Sequence, residues 1–119
     1  MTAGAASRLG LGLTLALAVV IGVLTLQPLP EIATRAPGSD KLHHLLAFAA
    51  LVLPATAARP RHALWLLPLA IGYGGAIELI QPHVGRHGEW GDVLANSLGA
   101  LIGVALGVAL NRLLPIRPG

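Results

Sequence analysis

The sequence predicts an all-α, polytopic membrane protein, a bundle of four transmembrane helices, and three observations lead there. Only 11% of the 119 residues are charged while 55% are hydrophobic, whereas an ordinary soluble domain carries roughly a quarter charged residues. The apolar content is aliphatic, with aromatics at 3%, which suits lipid-facing helices better than an aromatic-rich β-sandwich. The apolar residues also fall into four uncharged runs, each close to the roughly 20 helical residues that cross a hydrocarbon core of about 30 Å. This length accommodates one domain over residues 1–119, without space for a soluble module beside the spans.

The first span covers residues 9–27. It lies between Arg8 and Glu31, is apolar from Leu9 to Leu26, and is broken by Gln27-Pro28-Leu29-Pro30. It exceeds the apolar core of a secretion signal, about 7–15 residues, and no small-x-small cleavage pattern directly follows it, so it reads as a retained helix. The second span, 42–58, has His43 and His44 in its first turn and Pro54 near its end, and stops before Arg59-Pro60-Arg61. The third, 63–80, contains Pro68, the Gly72-Tyr73-Gly74-Gly75 cluster and Glu78, one turn before a Gln81-Pro82 stop. The fourth, 93–110, starts after Asp92 and ends before Arg112.

Cysteine is absent, which excludes disulfides, thiolate zinc sites and cysteine nucleophiles together. The net charge of +3 does not imply a nucleic-acid partner, because the basic residues are scattered between apolar runs rather than gathered in a patch. They read instead as topology signals. Arg8, Arg59, Arg61, Arg112 and Arg117 fall on one side of the four-span layout, and Arg35, Lys41 and Arg86 on the other. Basic loops are retained in the cytoplasm, so both termini are expected inside, and the 27–41 and 81–92 connections outside.

The remaining polar residues collect at that outer face in two clusters. In Ser39-Asp40-Lys41-Leu42-His43-His44, Asp40 stands three and four residues before the histidines, which puts all three on one helical face, with Phe48 a turn further on. The second cluster runs from Glu78 through Gln81, His83, Arg86, His87, Glu89 and Asp92 to Asn96, four residues beyond Asp92. An ionisable group at membrane depth is costly, about 2.5–3.5 kcal/mol at a helix centre and less near the interface. Glu78 is therefore either a functional group or the structural partner of Arg86 or a histidine. Asp40 and Asp92 also suit helix N-capping and the positive end of a helix dipole. On the fourth span, Asn96, Gly99, Gly103 and Gly107 form a stripe of small residues that marks a helix contact face, within the bundle or between two copies.

These polar anchors, Asp40-Lys41-x-x-His44 with Phe48, then Glu78-x-x-Gln81, Arg86, Asp92 and Asn96, followed by Gly99 and Gly103, resemble the VanZ-like family of small membrane proteins over about residues 15–110. The resemblance implies a multi-pass location in a bacterial cytoplasmic membrane and a cell-envelope role at the outer boundary. It does not carry over resistance to teicoplanin. This chain departs from the simplest family pattern in having His43 beside His44 and a loop with His83 and His87.

Three functional classes follow from the residues. In the first, the lipid bilayer is the partner and an anionic lipid or cell-wall precursor headgroup is the ligand. Lys41, Arg86 and the helix N-termini face it, while Asp40, His44, Glu78, Gln81, Asp92 and Asn96 complete the binding site. In the second, His44 with Asp40 or Glu78 performs acid–base chemistry near the interface, although no G-x-S-x-G or H-E-x-x-H motif supports a covalent or zinc-peptidase mechanism. In the third, the polar cluster only locks the helices together. No cofactor and no metal site is expected: His43, His44, His83, His87 and a carboxylate offer a set of donors, with His83 and His87 four apart, but Pro82, Gly85 and Gly88 favour a loop over helical ligation there.

Overall fold

The computed structural model describes residues 1–27, 39–84 and 90–118, and each apolar run in it is a helix. These are α1 (Ala3–Thr25), α2 (Ser39–Ala58), α3 (Ala63–Ile80) and α4 (Trp90–Asn111). All four are long and apolar enough to cross a membrane, and no strand element occurs among the described residues.

Three helices begin earlier than hydropathy places them, because hydropathy marks where lipid begins and not where a helix begins. Thr2 caps α1, its hydroxyl accepting from Ala5 N–H at 3.1 Å. The Ala-rich residues behind it extend the helix past Arg8. Helix α2 takes Ser39, Asp40 and Lys41 into its first turn. Helix α4 takes in Trp90, Gly91 and Asp92, so Asp92 lies inside the first turn, 2% exposed, and is not an N-cap. Its charge still favours the positive end of the helix dipole. Helix α3 is the shortest, 18 residues or about 27 Å. Turns of 3₁₀ helix at Pro60–His62 and Gln81–Val84 lengthen it at both ends.

Packing follows the logic of a bilayer, where apolar burial between helices contributes little and small residues and interhelical hydrogen bonds must hold the bundle. Large aliphatic side chains such as Leu15, Leu64, Leu69, Leu94 and Leu106 face outward, while the buried set is rich in alanine. The closest pair is α2 with α4, and the glycine stripe explains it. A Cβ at Gly99 would strike the carbonyl oxygen of Leu45 and one at Gly103 that of Ala49, while at Gly107 it would lie 2.8 Å from Thr56 Cβ. The stripe is thus an internal contact with α2.

Helix α1 leans on α2 through a second small-residue face, Ser7, Gly10 and Thr14, which the sequence reading passed over. Gly10 sits against the Pro54 carbonyl, where an added Cβ would lie 2.6 Å from the oxygen. The Thr14 hydroxyl donates to Leu51 O at 2.8 Å and accepts from Ala55 N–H at 3.3 Å, the two ends of one helical rung beside Pro54. Between α1 and α3 lies an apolar cleft of about 580 Å³ bordered by Leu11, Leu15, Leu51, Leu66, Leu69 and Tyr73. Two hydrogen bonds tie α1 to the other side, Tyr73 Oη to Ala18 O and Gln81 Nε2 to Thr25 O.

Both termini lie at one end of the bundle. Ala3 N–H donates to Arg117 O at 2.7 Å and Arg117 N–H to Met1 O at 2.9 Å. The α2–α3 turn is at the same end, held to α1 by Ser7 Oγ and His62 Nε2 at 2.9 Å. Asn111 Nδ2 donates there to Ala57 O.

Candidate functional site

At the far end from the termini, three helices deliver polar side chains to one buried centre. His44 comes from the second turn of α2, Glu78 from the last turn of α3, and Asp92 and Asn96 from one face of α4. Their exposures are 6%, 7%, 2% and 0%. The imidazole is at the middle. Its Nδ1 is 2.8 Å from Asn96 Oδ1 and 3.8 Å from Glu78 Oε1, and its Nε2 is 3.9 Å from Asp92 Oδ2. An amide oxygen can only accept, so Nδ1 carries a proton and donates it to Asn96.

The backbone makes room for this meeting. Gly74 of α3 lies against Asn96 and Phe48, where a Cβ would come within 2.8 Å of Asn96 Nδ2 and 3.2 Å of the Phe48 ring. Of the Gly72-Tyr73-Gly74-Gly75 cluster, only Gly74 has this role, since Gly72 and Gly75 face open space. Phe48, 1% exposed, closes the centre from below with its ring 6.3 Å from that of Tyr73.

Lys41 connects the buried centre to the boundary. Its Nζ lies 3.7 Å from Asp92 Oδ1, with 46% of the side chain exposed, and its stem runs over Gly91, where a Cβ would meet Lys41 Cε at 2.7 Å. The first turns of α2 and α4 therefore lie side by side, bringing two positive helix ends to the same face.

Of the residues expected to form a site, Lys41, His44, Glu78, Asp92 and Asn96 come together. Gln81 is 1% exposed and turns its amide nitrogen to α1 at Thr25 O, 3.0 Å away. The backbone of Asp40 is in the first turn of α2, but its side chain lies outside the described part, and Arg86, His87 and Glu89 lie outside the described residues altogether. His43 and His83 are exposed, so His44 alone of the described histidines enters the centre. Among the described side chains, the carboxylates nearest its ring are Glu78 and Asp92. An imidazole between two carboxylates can relay a proton, bind a cation or form ion pairs.

A serine–histidine pair was invisible to spacing, because its members lie 55 positions apart. Ser7 Oγ meets His62 Nε2, but Trp65 Nε1–H donates to His62 Nδ1 at 3.2 Å. Nδ1 must then be the acceptor, so in the neutral ring Nε2 carries the hydrogen and donates it to Ser7. The ring cannot take the serine proton in that tautomer, and the contact ties α1 to the α2–α3 turn.

None of the curated proteins and none of the solved structures compared with the chain matches it. A family model described as VanZ/LLP1 does match, over residues 12–111. That stretch runs from within α1 to the last residue of α4 and includes the whole polar centre. This multi-pass membrane protein belongs to the VanZ/LLP1 family.

Proposed function

We propose that the protein holds an anionic headgroup, of a phospholipid or a lipid-linked cell-wall precursor, at the boundary of a bacterial cytoplasmic membrane opposite its termini. The observation that carries this reading is Lys41. It is half exposed, steered by Asp92 at 3.7 Å, and stands beside the positive ends of α2 and α4, a combination suited to phosphate oxygens. Arg86, seven residues after Leu79, is proposed as the second cation. The arginine distribution supports an outward-facing site. Arg8, Arg59, Arg61, Arg112 and Arg117 belong to the termini end, which basic residues hold in the cytoplasm.

The test is ligand binding by native mass spectrometry of the detergent-purified protein with undecaprenyl phosphate, phosphatidylglycerol and phosphatidylcholine. Wild type is expected to retain the anionic lipids in preference to phosphatidylcholine, and Lys41→Ala and Arg86→Ala to lose that preference. Equal retention by wild type and both variants removes the electrostatic clamp.

A structural reading is favoured by a different observation, the near-complete burial of Glu78, Asp92 and Asn96 between α2, α3 and α4. Under it, Glu78→Gln and Asp92→Asn reduce thermal stability in detergent in step with any loss of cellular phenotype. A variant of unchanged stability that has lost the phenotype decides for a ligand site.

A further inference from the structure

The donors of the polar centre gather about the His44 ring, with Asp92 Oδ2 3.9 Å from Nε2 and Glu78 Oε1 3.8 Å from Nδ1, so an ion on Nε2 would draw Glu78 in from the Nδ1 side. One atom each from His44, Glu78 and Asp92 lies within 4.8 Å of the other two. The His44 Nε2 to Asp92 Oδ2 separation of 3.9 Å is too long for a hydrogen bond. Two donors that share a tetrahedral cation through bonds of about 2.0–2.2 Å stand about 3.3–3.6 Å apart, so this pair needs to close by only a few tenths of an ångström to hold one. The tautomer is also the required one. Asn96 Oδ1 accepts from Nδ1 at 2.8 Å, which leaves the lone pair of the neutral ring on Nε2. A histidine ligand is commonly tethered in this way, one nitrogen bound to an outer oxygen and the other turned to the metal.

The other end of the Asn96 amide adds a further indication. Asn96 is fully buried and directs its amide at the imidazole, yet its Nδ2 has no hydrogen-bond partner among the described residues. Burying an amide without completing its hydrogen bonds costs about 1–3 kcal/mol, so its placement is explained by what the oxygen does for the ring.

From these observations we infer that His44, Glu78 and Asp92 form a binding site for a divalent first-row transition-metal ion, with Asn96 orienting the imidazole. One imidazole nitrogen and two carboxylate oxygens suit zinc, manganese or ferrous iron, and no thiolate is involved. Three protein donors leave a coordination position for an exogenous oxygen ligand. The sequence expectation of no metal weighed a set of His43, His44, His83 and His87 with a carboxylate and set it aside on the loop residues around His83 and His87. A set with one donor per helix has no local spacing to betray it. The inference goes beyond the headgroup reading and does not depend on it, since it concerns the buried centre rather than Lys41.

The experiment uses the full chain in detergent, stripped with chelator and titrated with Co²⁺ and Zn²⁺ in the absence of added lipid. One equivalent of ion per chain is expected. The cobalt form should show a paramagnetically shifted, exchangeable proton resonance from the His44 Nδ1–H. Asn96→Ala should weaken binding by about 10- to 100-fold, His44→Ala should abolish it, and His43→Ala and His83→Ala should leave it unchanged. The inference is overturned if wild type takes up no stoichiometric ion, if its cobalt form lacks the shifted resonance, or if His44→Ala binds as well as wild type. The first two measurements need only wild type, so a variant that fails to fold does not obscure the answer. Lipid binding that persists without metal would leave the headgroup reading standing while metal binding fails.

Discussion

Asn96 shows how much one side chain can decide inside a bilayer. It supplies the 2.8 Å acceptor for the His44 ring from a fully buried position, so Asn96→Ala strands a donor where water cannot replace the lost partner. The expected cost is about 1–3 kcal/mol, measurable as a lowered midpoint of thermal or SDS-induced unfolding in detergent. Asn96→Asp keeps an acceptor for Nδ1 but adds a third buried carboxylate beside Glu78 and Asp92, so it should also lower the midpoint, and more so as pH rises. The polar residues of this centre were legible in the sequence because charge and amide groups at membrane depth stand out against Leu, Ala and Val. Their individual partners were not. Sequence spacing joins Asp40 to His44 on one helical face, but the described contacts of His44 come from α3 and α4, 34 and 48 to 52 positions away.

The helices differ in what fixes their mutual distance. For α2 and α4 it is the absence of side chain. A Cβ at Gly99 would meet backbone, the Leu45 carbonyl, which cannot rotate away as a side chain can. Gly99→Leu should therefore force the pair apart, costing about 1–3 kcal/mol or more, and should disturb the centre one turn above. Gly12→Leu, at a position with open space around it, is the control expected to leave the unfolding midpoint unchanged. For α1 and α2 it is a hydroxyl. Thr14→Val removes both hydrogen bonds to the rung beside Pro54 while keeping the shape, with an expected loss of about 0.6–2 kcal/mol. The glycine stripe of α4 could be read directly as a contact face, since its period is that of a helix. Its partner could not, because periodicity identifies a face and not what lies against it. The Ser7, Gly10, Thr14 stripe carried the same signal more weakly, diluted by Gly4, Gly12 and Gly22 on the same helix.

For the molecule as a whole, four spans require the connections to alternate between the two faces. The structure gathers the termini and the α2–α3 turn at one end and Lys41, Gln81 and Asp92 at the other. The natural absence of cysteine makes single-cysteine labelling free of background. Cysteines at Trp90 and His83 should react with an impermeant maleimide added to intact cells, whereas cysteines at Arg61 and Arg117 should react only after lysis. Reaction of His83→Cys and Arg61→Cys from the same side would refute the four-span arrangement. Reaction of all four in the inverse pattern would refute only the orientation. The number of spans was legible because bilayer thickness imposes a length on them, whereas the starts of α1, α2 and α4 were not, since polar first turns carry no hydropathy signal. The order in which helices touch, α1 on α2, α2 on α4 and α4 on α3, was not, since lipid solvates any apolar face equally well and only small residues and buried polar groups discriminate among neighbours.

The pairing of Met1 and Ala3 with Arg117 has a consequence for the chain as a closed circuit. A short peptide joining Arg117 to Met1 would link segments that are already hydrogen-bonded, and a new opening at Arg59–Pro60 would lie on the same side of the membrane. Such a rearranged polypeptide keeps every helix on its original track. If it still inserts and folds, the order in which the spans are synthesised is not what assembles them.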